Sequence, residues 1–149
     1  MNDTTSNIGE VTITRIFDAP PALVFECLIN PEHLTHFWGP VGVHTPLETI
    51  KVDPRPGGVF EAVMVNDEDG AEYPTRAVYA VVDPPNKLTW IEPDVEGGMT
   101  TSTTFTDLGD GRTEVIIFQT NVPAIYRSAE AQAGMQSSLD RFAAYLGSL

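Results

Sequence analysis

The chain of 149 residues has little cysteine, few basic residues and no long apolar run. Its single cysteine, Cys27, excludes a disulfide within the chain and is typical of proteins from a reducing compartment. No segment approaches the roughly 18–20 consecutive apolar residues of a membrane span, so we expect no membrane insertion. The N-terminus has neither a basic start nor an apolar run, and it does not resemble a secretory signal. These features predict a cytoplasmic protein.

Basic residues are outnumbered by acidic ones, 8 against 21, which gives a formal net charge of −13. An acidic surface repels phosphate groups, so we expect neither nucleic acid nor an anionic membrane as a partner. Hydrophobic residues make up 42% of the chain, which is enough for a globular core. We therefore predict a single domain over residues 9–149, preceded by a flexible tail over residues 1–8.

Several motifs that carry known chemistry are also missing. The chain has no G-x-S-x-G nucleophile elbow, and Cys27 falls on the apolar face of a predicted helix, where a thiol is inert. Neither G-x-G-x-x-G nor a P-loop occurs, so we expect no nucleotide cofactor, and we predict no other cofactor. No two glutamates have a strand parity that places both carboxylates on an inward face. The sequence therefore indicates no catalytic residue.

The three histidines, His33, His36 and His44, all lie in the stretch HLTHFWGPVGVH. His33 and His36 are three residues apart on a predicted short helix, so both can face one way. A zinc site needs three or four converging ligands, and neither H-E-x-x-H nor C-x-x-C accompanies these histidines. We predict no metal site. The histidines are expected around a helix end, and hydrogen bonding at the rim of a pocket is the alternative.

The spacing of apolar and turn residues predicts a strand, two short helices, about six strands in a meander and one long helix. The first strand is expected over residues 11–18, and residues 47–53 are a further strand candidate. Residues 127–148 predict the long C-terminal helix, whose apolar face holds Met135, Leu139, Phe142 and Leu146. This order predicts an α+β fold, in which a curved antiparallel sheet packs against the long helix and leaves a pocket between them.

Several segments carry a family resemblance through their order and spacing. They are FDAPPALVFECLINPEHLTHFWGP, GGVFEAVM, DEDGAEYPTRAVYAVVDPPNKLTW, GDGRTEVII and GMQSSLDRFAAYL, within residues 11–146. In these segments the chain resembles the activator-of-Hsp90-ATPase-homologue-like branch of the START (SRPBCC, birch-pollen-allergen-like) superfamily. The resemblance implies the helix-grip fold, with about six to seven strands, and a cavity for hydrophobic small molecules.

Two positions depart from the pattern of that family. Gly134-Met135 stands where the family often has Gly-Trp, and Ala62 stands where a large side chain is common. Both changes replace bulk with smaller or softer groups. We therefore expect a pocket that is enlarged or reshaped beside Ala62 and Met135.

Strand parity and the apolar face of the long helix predict which side chains line this pocket. Glu61 indicates that its own strand face is exposed to solvent. Because side chains alternate along a strand, Phe60 and Met64 are expected to point inward. For residues 76–82 both faces are apolar, and the sequence leaves open which one is inside. The predicted ligand-binding residues are Phe37, Trp38, Phe60, Ala62, Met64, Tyr79, Trp90, Thr101, Thr103, Phe105, Ile117, Gln119, Met135 and Leu139.

An apolar pocket with a few hydroxyl and amide groups is typical of a small-molecule site. We predict binding of a hydrophobic molecule, lipid-like or aromatic and polyketide-like, without covalent chemistry. One alternative is a cyclase-like or hydrolase-like enzyme that uses polar pocket groups. A second is a co-chaperone-like protein of the stress response, which is weakened because the eukaryotic activators carry an extra N-terminal domain. Exposed edge strands allow a homodimer. The sequence does not name the ligand.

Overall fold

The computed structural model describes residues 8–149, and it confirms the predicted α+β helix-grip architecture. Most of the expected tail, residues 1–7, lies outside the described residues, while Ile8 already belongs to the first strand. The strands are β1 (Ile8–Phe17), β2 (Val43–His44), β3 (Lys51–Val52), β4 (Val59–Asn66), β5 (Glu72–Asp83), β6 (Lys87–Glu92), β7 (Met99–Asp107) and β8 (Thr113–Pro123). The helices are α1 (Pro21–Ile29), α2 (Pro31–Leu34) and α3 (Ala129–Gly147).

All strand pairs are antiparallel, in the order β1-β8-β7-β6-β5-β4-β2, with β3 also paired to β4. The strands from β4 to β8 form the predicted meander, and β1 extends the sheet beside β8. Two of the eight strands are only two residues long, which accounts for the difference from the six or seven expected. A right-handed twist across so many strands gives the sheet a concave face that receives the long helix.

The core lies between the concave face of the sheet and the three helices. Leu139, Phe142 and Leu146 are the buried residues of α3, as the helical spacing predicted. The Phe142 ring stacks on Phe37 at a centroid distance of 4.3 Å and also contacts Phe17 at 5.0 Å. Burial of each such ring contributes about 1.5–3 kcal/mol to folding. These contacts fix α3 across the sheet near the end of the second short helix.

The segment 47–53 was predicted as a strand, and this is wrong for its first half. The backbone makes a 3₁₀ turn over Leu47–Thr49, and only Lys51–Val52 pairs with β4. The hydroxyl of Thr49 donates to the carbonyl of Pro46 at 2.8 Å and accepts from the amide of Val63 at 3.2 Å. Local bonds of this kind compete with a strand ladder, and alternating hydrophobicity does not reveal them.

The second short helix begins after Asn30, as the stretch NPEHLTHFWG predicts, but it ends at Leu34 and not at Gly39 and Pro40, where that stretch predicts its end. The Asn30 side chain accepts a hydrogen bond from the amide of Glu32 at 3.0 Å, which is the expected N-cap. The chain then turns at Gly39, whose φ is +99°. A Cβ atom there would lie 2.7 Å from Val43 Cγ2 and 2.9 Å from Met64 Sδ, so only glycine fits.

No helix among residues 8–149 is long and apolar enough to cross a bilayer.

Candidate functional site

A cavity of about 860 Å³ lies between the concave face of the sheet and helix α3. Strands β4 to β8 form its floor, α3 covers it, and the turn at residues 37–40 closes one side. Of the fourteen predicted site residues, the structure brings eleven to this cavity. They are Phe37, Trp38, Phe60, Met64, Trp90, Thr101, Thr103, Ile117, Gln119, Met135 and Leu139.

Three predicted site residues do not line the cavity: Ala62, Tyr79 and Phe105. All three are buried on the inner side of the sheet, and the Phe105 ring packs against Phe25 of α1 at 5.2 Å. The inner face is therefore longer than the cavity, and part of it is filled by core side chains. The cavity is lined by Met135 but not by Ala62. The enlargement predicted beside Ala62 is therefore not part of this cavity.

Three aromatic rings form one wall of the cavity. The Trp38 ring lies 5.0 Å from that of Phe60 and 6.5 Å from that of Trp90, measured between centroids. The rings of Phe60 and Trp90 are parallel to within 8°, with centroids 6.3 Å apart. This aromatic wall offers flat apolar surface to a ligand, and its ring faces carry the negative side of the quadrupole.

The polar part of the floor is built from facing residues on neighbouring strands. Thr101 of β7 stands opposite Gln119 of β8, and the Gln119 side-chain amide donates to the Thr101 hydroxyl at 3.1 Å. This bond fixes the orientation of the Gln119 side chain and leaves its oxygen as an acceptor. The same row continues to Trp90, which is the register partner of Thr101 on β6.

Glu92 is a cavity residue that was not predicted. It follows Trp90 by two positions on β6, so both side chains lie on the same strand face, and both line the cavity. Burial raises the pKa of the Glu92 carboxyl from 4.5 to about 7. Such a carboxyl can bind a cation or exchange a proton near neutral pH. The signal available in the sequence was its parity with Trp90, because alternate residues of a strand share a face.

The opening of the cavity is marked by exposed lining residues near the start of α3. Ile125 and Tyr126 belong to a 3₁₀ turn that leads into the helix, and Glu130 lies in its first turn. The exposed fraction of Ile125 is 73%, although its side chain borders the cavity. This arrangement provides an apolar rim through which a ligand can enter.

Arg141 of α3 binds the turn that closes one side of the cavity, and no sequence pattern pointed to it. Its Nη1 atom donates to the carbonyl oxygens of Gly39, Pro40 and Val43 at 2.9, 3.0 and 3.1 Å. Gly39 and Pro40 line the cavity, so the guanidinium connects the helix to a cavity wall about 100 residues earlier in the chain. Arg141 acts on the site by positioning this wall.

The histidines lie outside the cavity lining. Nδ1 of His33 is hydrogen bonded to the Tyr145 hydroxyl at 2.6 Å, and the His36 ring stacks on the Tyr145 ring at 5.2 Å. Nδ1 of His44 is paired with Asp67 at 2.6 Å. Within residues 8–149, no three histidine, cysteine or acidic side chains are grouped as metal ligands. His33 and His36 thus attach α2 and the turn after it to the end of α3.

The buried carboxyl of Glu92 makes a prediction about stability and pH. The folded protein holds the carboxyl proton more tightly than the unfolded chain, so this group lowers stability as pH rises from about 4.5 to 7. We expect Glu92→Gln to raise the free energy of unfolding at pH 8 by about 1–2 kcal/mol and to leave it unchanged at pH 4. This range is smaller than the full pKa shift implies, because the carboxyl keeps partial contact with solvent. Urea unfolding at the two pH values measures this, with exposed Glu96→Gln as the control. Equal effects at both pH values would contradict the assignment.

Tyr79 gives a second prediction, because its hydroxyl is buried and has no hydrogen-bond partner among the described residues. Burial, with a smaller contribution from Asp53, raises the pKa of this phenol, so the hydroxyl stays protonated. Removing an unsatisfied buried hydroxyl recovers its desolvation penalty of about 1 kcal/mol. We expect Tyr79→Phe to raise Tm by about 2–4 °C in calorimetry, while exposed Tyr73→Phe has no effect. A fall in Tm on Tyr79→Phe would mean that the hydroxyl has a hydrogen-bond partner and would contradict this prediction.

Comparisons with known proteins agree with this geometry. Residues 18–147 match the family described as "Activator of Hsp90 ATPase homolog 1-like protein", and no curated protein matches the chain. A crystal structure from Chromobacterium violaceum is 23% identical, with a TM-score of 0.82 over 91% of this chain and 95% of that one. The AHSA1 protein from Silicibacter pomeroyi is 26% identical, with a TM-score of 0.76 over 93% and 97%.

A third similar structure is the AHSA1-like protein from Aeromonas hydrophila, solved by NMR. It is 21% identical, has a TM-score of 0.79, and is matched over 93% of this chain and 92% of its own. The family match begins directly after β1 and covers the strands β2 to β8 and all of α3. The chain therefore belongs to the activator of Hsp90 ATPase homologue 1-like family, within the START-like (SRPBCC) superfamily.

Proposed function

We propose that this protein binds a hydrophobic small molecule in the cavity between the sheet and helix α3. The observation that carries this proposal is the cavity itself, with its volume of about 860 Å³ and its mostly apolar lining. Small-molecule sites have volumes of about 300–1,000 Å³, apolar walls and a few polar groups that orient the ligand. Here the aromatic wall supplies the apolar contact, and Thr101 and Gln119 supply polar contacts.

The contents of the site support binding rather than covalent chemistry. Cys27 does not line the cavity, and burial raises the pKa of its thiol to about 11, so it is not a nucleophile at neutral pH. The hydroxyl of Thr101 is engaged with Gln119 and has no histidine beside it to act as a base. A reduced Cys27 also fits our proposal that the protein works in the cytoplasm.

The proposal is tested with N-phenyl-1-naphthylamine, a neutral dye whose fluorescence rises in apolar surroundings. We expect saturable binding of one dye per protein and a rise in Tm, because a ligand that binds only the folded state stabilises it. At a dye concentration of 100 times Kd, the gain is about 2.7 kcal/mol. Fluorescence that rises linearly without saturation, together with an unchanged Tm, would contradict the proposal.

A further inference from the structure

The charged groups that line the cavity are all acidic. Within residues 8–149 they are Glu92 and Glu130, and no lysine, arginine or histidine side chain is part of the lining. Glu130 lies at the exposed opening, whereas Glu92 lies on the floor strand β6 and is largely buried. The Glu92 carboxylate has no hydrogen bond or ion pair in the described part of the chain. Partial burial of a carboxylate without a partner disfavours its charged form, and a cation from outside would offset that cost.

The aromatic wall stands next to this carboxylate. Trp90 and Glu92 are two residues apart on one strand face, which places their Cα atoms about 6.6 Å apart. Trp38 and Phe60 complete the wall, with ring centroids 5.0 Å apart. The faces of such rings attract ammonium groups, and the attraction is larger where water is excluded. A carboxylate that shares a strand face with Trp90, in a cavity lined by two further aromatic rings, is therefore suited to a positively charged nitrogen.

We propose that the ligand of this cavity is a hydrophobic amine, whose ammonium group pairs with Glu92 beside the rings of Trp38, Phe60 and Trp90. This inference rests on the proposed function, and it names the chemical class of the ligand. The side-chain oxygen of Gln119 offers a further acceptor to an N–H group on the same floor. The apolar body of the amine occupies the region between the floor and α3, against Met135 and Leu139.

The same charges disfavour anionic ligands. The carboxylate of a fatty acid would enter past Glu130 and meet Glu92, and no basic side chain among residues 8–149 lines the cavity to pair with it. The net charge of −13 adds a repulsive field for anions and an attractive one for cations approaching the opening. An amine is thus selected over an acid of the same size.

The test compares three ligands that share a naphthalene body, namely 2-(1-naphthyl)ethylamine, 2-(1-naphthyl)ethanol and 1-naphthaleneacetate. Isothermal titration at pH 8 is expected to give an affinity for the amine at least tenfold above that for the alcohol, and weaker binding of the acid. In Glu92→Gln, the affinity for the amine is expected to lie within about threefold of the affinity for the alcohol. Glu96→Gln, an exposed change on the loop after β6, is the control and should retain the preference.

The pH dependence in the unmodified protein is a second test that needs no variant. The titratable groups that line the cavity with Glu92 are Glu130 of α3 and Tyr126 in the turn before it; Arg76 lies on the outer face, paired with Asp94. The ammonium binds the ionised Glu92, so affinity for the amine should fall about tenfold between pH 8 and pH 6. Affinity for the alcohol should stay constant, because it carries no charge.

The outcomes separate this inference from the proposed function. Saturable dye binding without a preference for the amine would overturn the amine assignment and leave the binding function intact. A preference that persists in Glu92→Gln, or an amine affinity that does not change between pH 8 and pH 6, would also overturn it. Absence of binding by the dye and by all three naphthyl ligands would remove both proposals together.

Discussion

Replacing Ala131 with tryptophan is expected to weaken binding of N-phenyl-1-naphthylamine at least tenfold, whereas Ala133→Trp leaves it unchanged. Both alanines belong to the first half of α3, but Ala131 lines the cavity and Ala133 is exposed. An indole at position 131 would occupy space near the opening that a ligand needs. A tryptophan at position 133 lowers helix propensity by the same amount as one at position 131, but its side chain points to solvent.

The measurement is a fluorescence titration of the two variants and the parent protein under one set of conditions. Circular dichroism and Tm show that both variants are folded, so a loss of affinity is assigned to the cavity. The size of the effect follows from displacement, because a ligand cannot share volume with a packed indole. Equal affinities of Ala131→Trp and Ala133→Trp would place the dye elsewhere on the protein.

Arg141→Met is expected to destabilise the fold by about 2 kcal/mol, which corresponds to a fall in Tm of about 4–8 °C. The Arg141 guanidinium donates to three carbonyl groups between Gly39 and Val43, and methionine keeps most of the apolar stem but no donor. Gly39 is buried, so its carbonyl oxygen is poorly reached by water as a replacement donor. Hydrogen bonds to charged groups contribute about 1.5–3 kcal/mol.

The control for this variant is Arg55→Met. Arg55 pairs with Asp53 at 2.8 Å on an exposed loop, where an ion pair contributes little. We expect its removal to change the free energy of unfolding by less than about 0.5 kcal/mol. Guanidinium unfolding measures both variants, and a dye titration of Arg141→Met should also show weaker binding because Gly39 and Pro40 line the cavity. An Arg141 variant as stable as the control would contradict the stabilising role of these three hydrogen bonds.

The helix α3 and the inward faces of the long strands were predictable because each follows a regular period. Leu139, Phe142 and Leu146 repeat at helical spacing, and the alternation in β7 and β8 turns Thr101, Thr103 and Ile117 inward. Periodicity identifies the inward face of a strand or helix, but it does not show which part of that face packs against another element and which part borders the cavity. Phe105 shares a face with Thr103 and yet packs under α1 instead of lining the cavity.

The roles of two residues that shape the site, Arg141 and Glu92, could not be predicted from the periodicity of the sequence. The bonds of Arg141 join positions 98 to 102 residues apart, and nothing in the local sequence selects those three carbonyls. The importance of Glu92 comes from its burial, which raises its pKa and depends on how the strands and helix α3 surround it. The segment 47–53 was misassigned because the hydroxyl of Thr49 bonds locally in place of the ladder.

Two-dimensional ¹H–¹⁵N NMR during a titration with N-phenyl-1-naphthylamine tests most directly whether the cavity is the ligand site. We predict saturable shifts that are largest for the amides of Thr101, Thr103, Gln119 and Ala131, which surround the cavity on the sheet and on α3. Thr104 and Phe118 alternate with them on the outer face and should shift little. Shifts confined to such outer-face residues, or the absence of any saturable shift, would contradict ligand binding in this cavity.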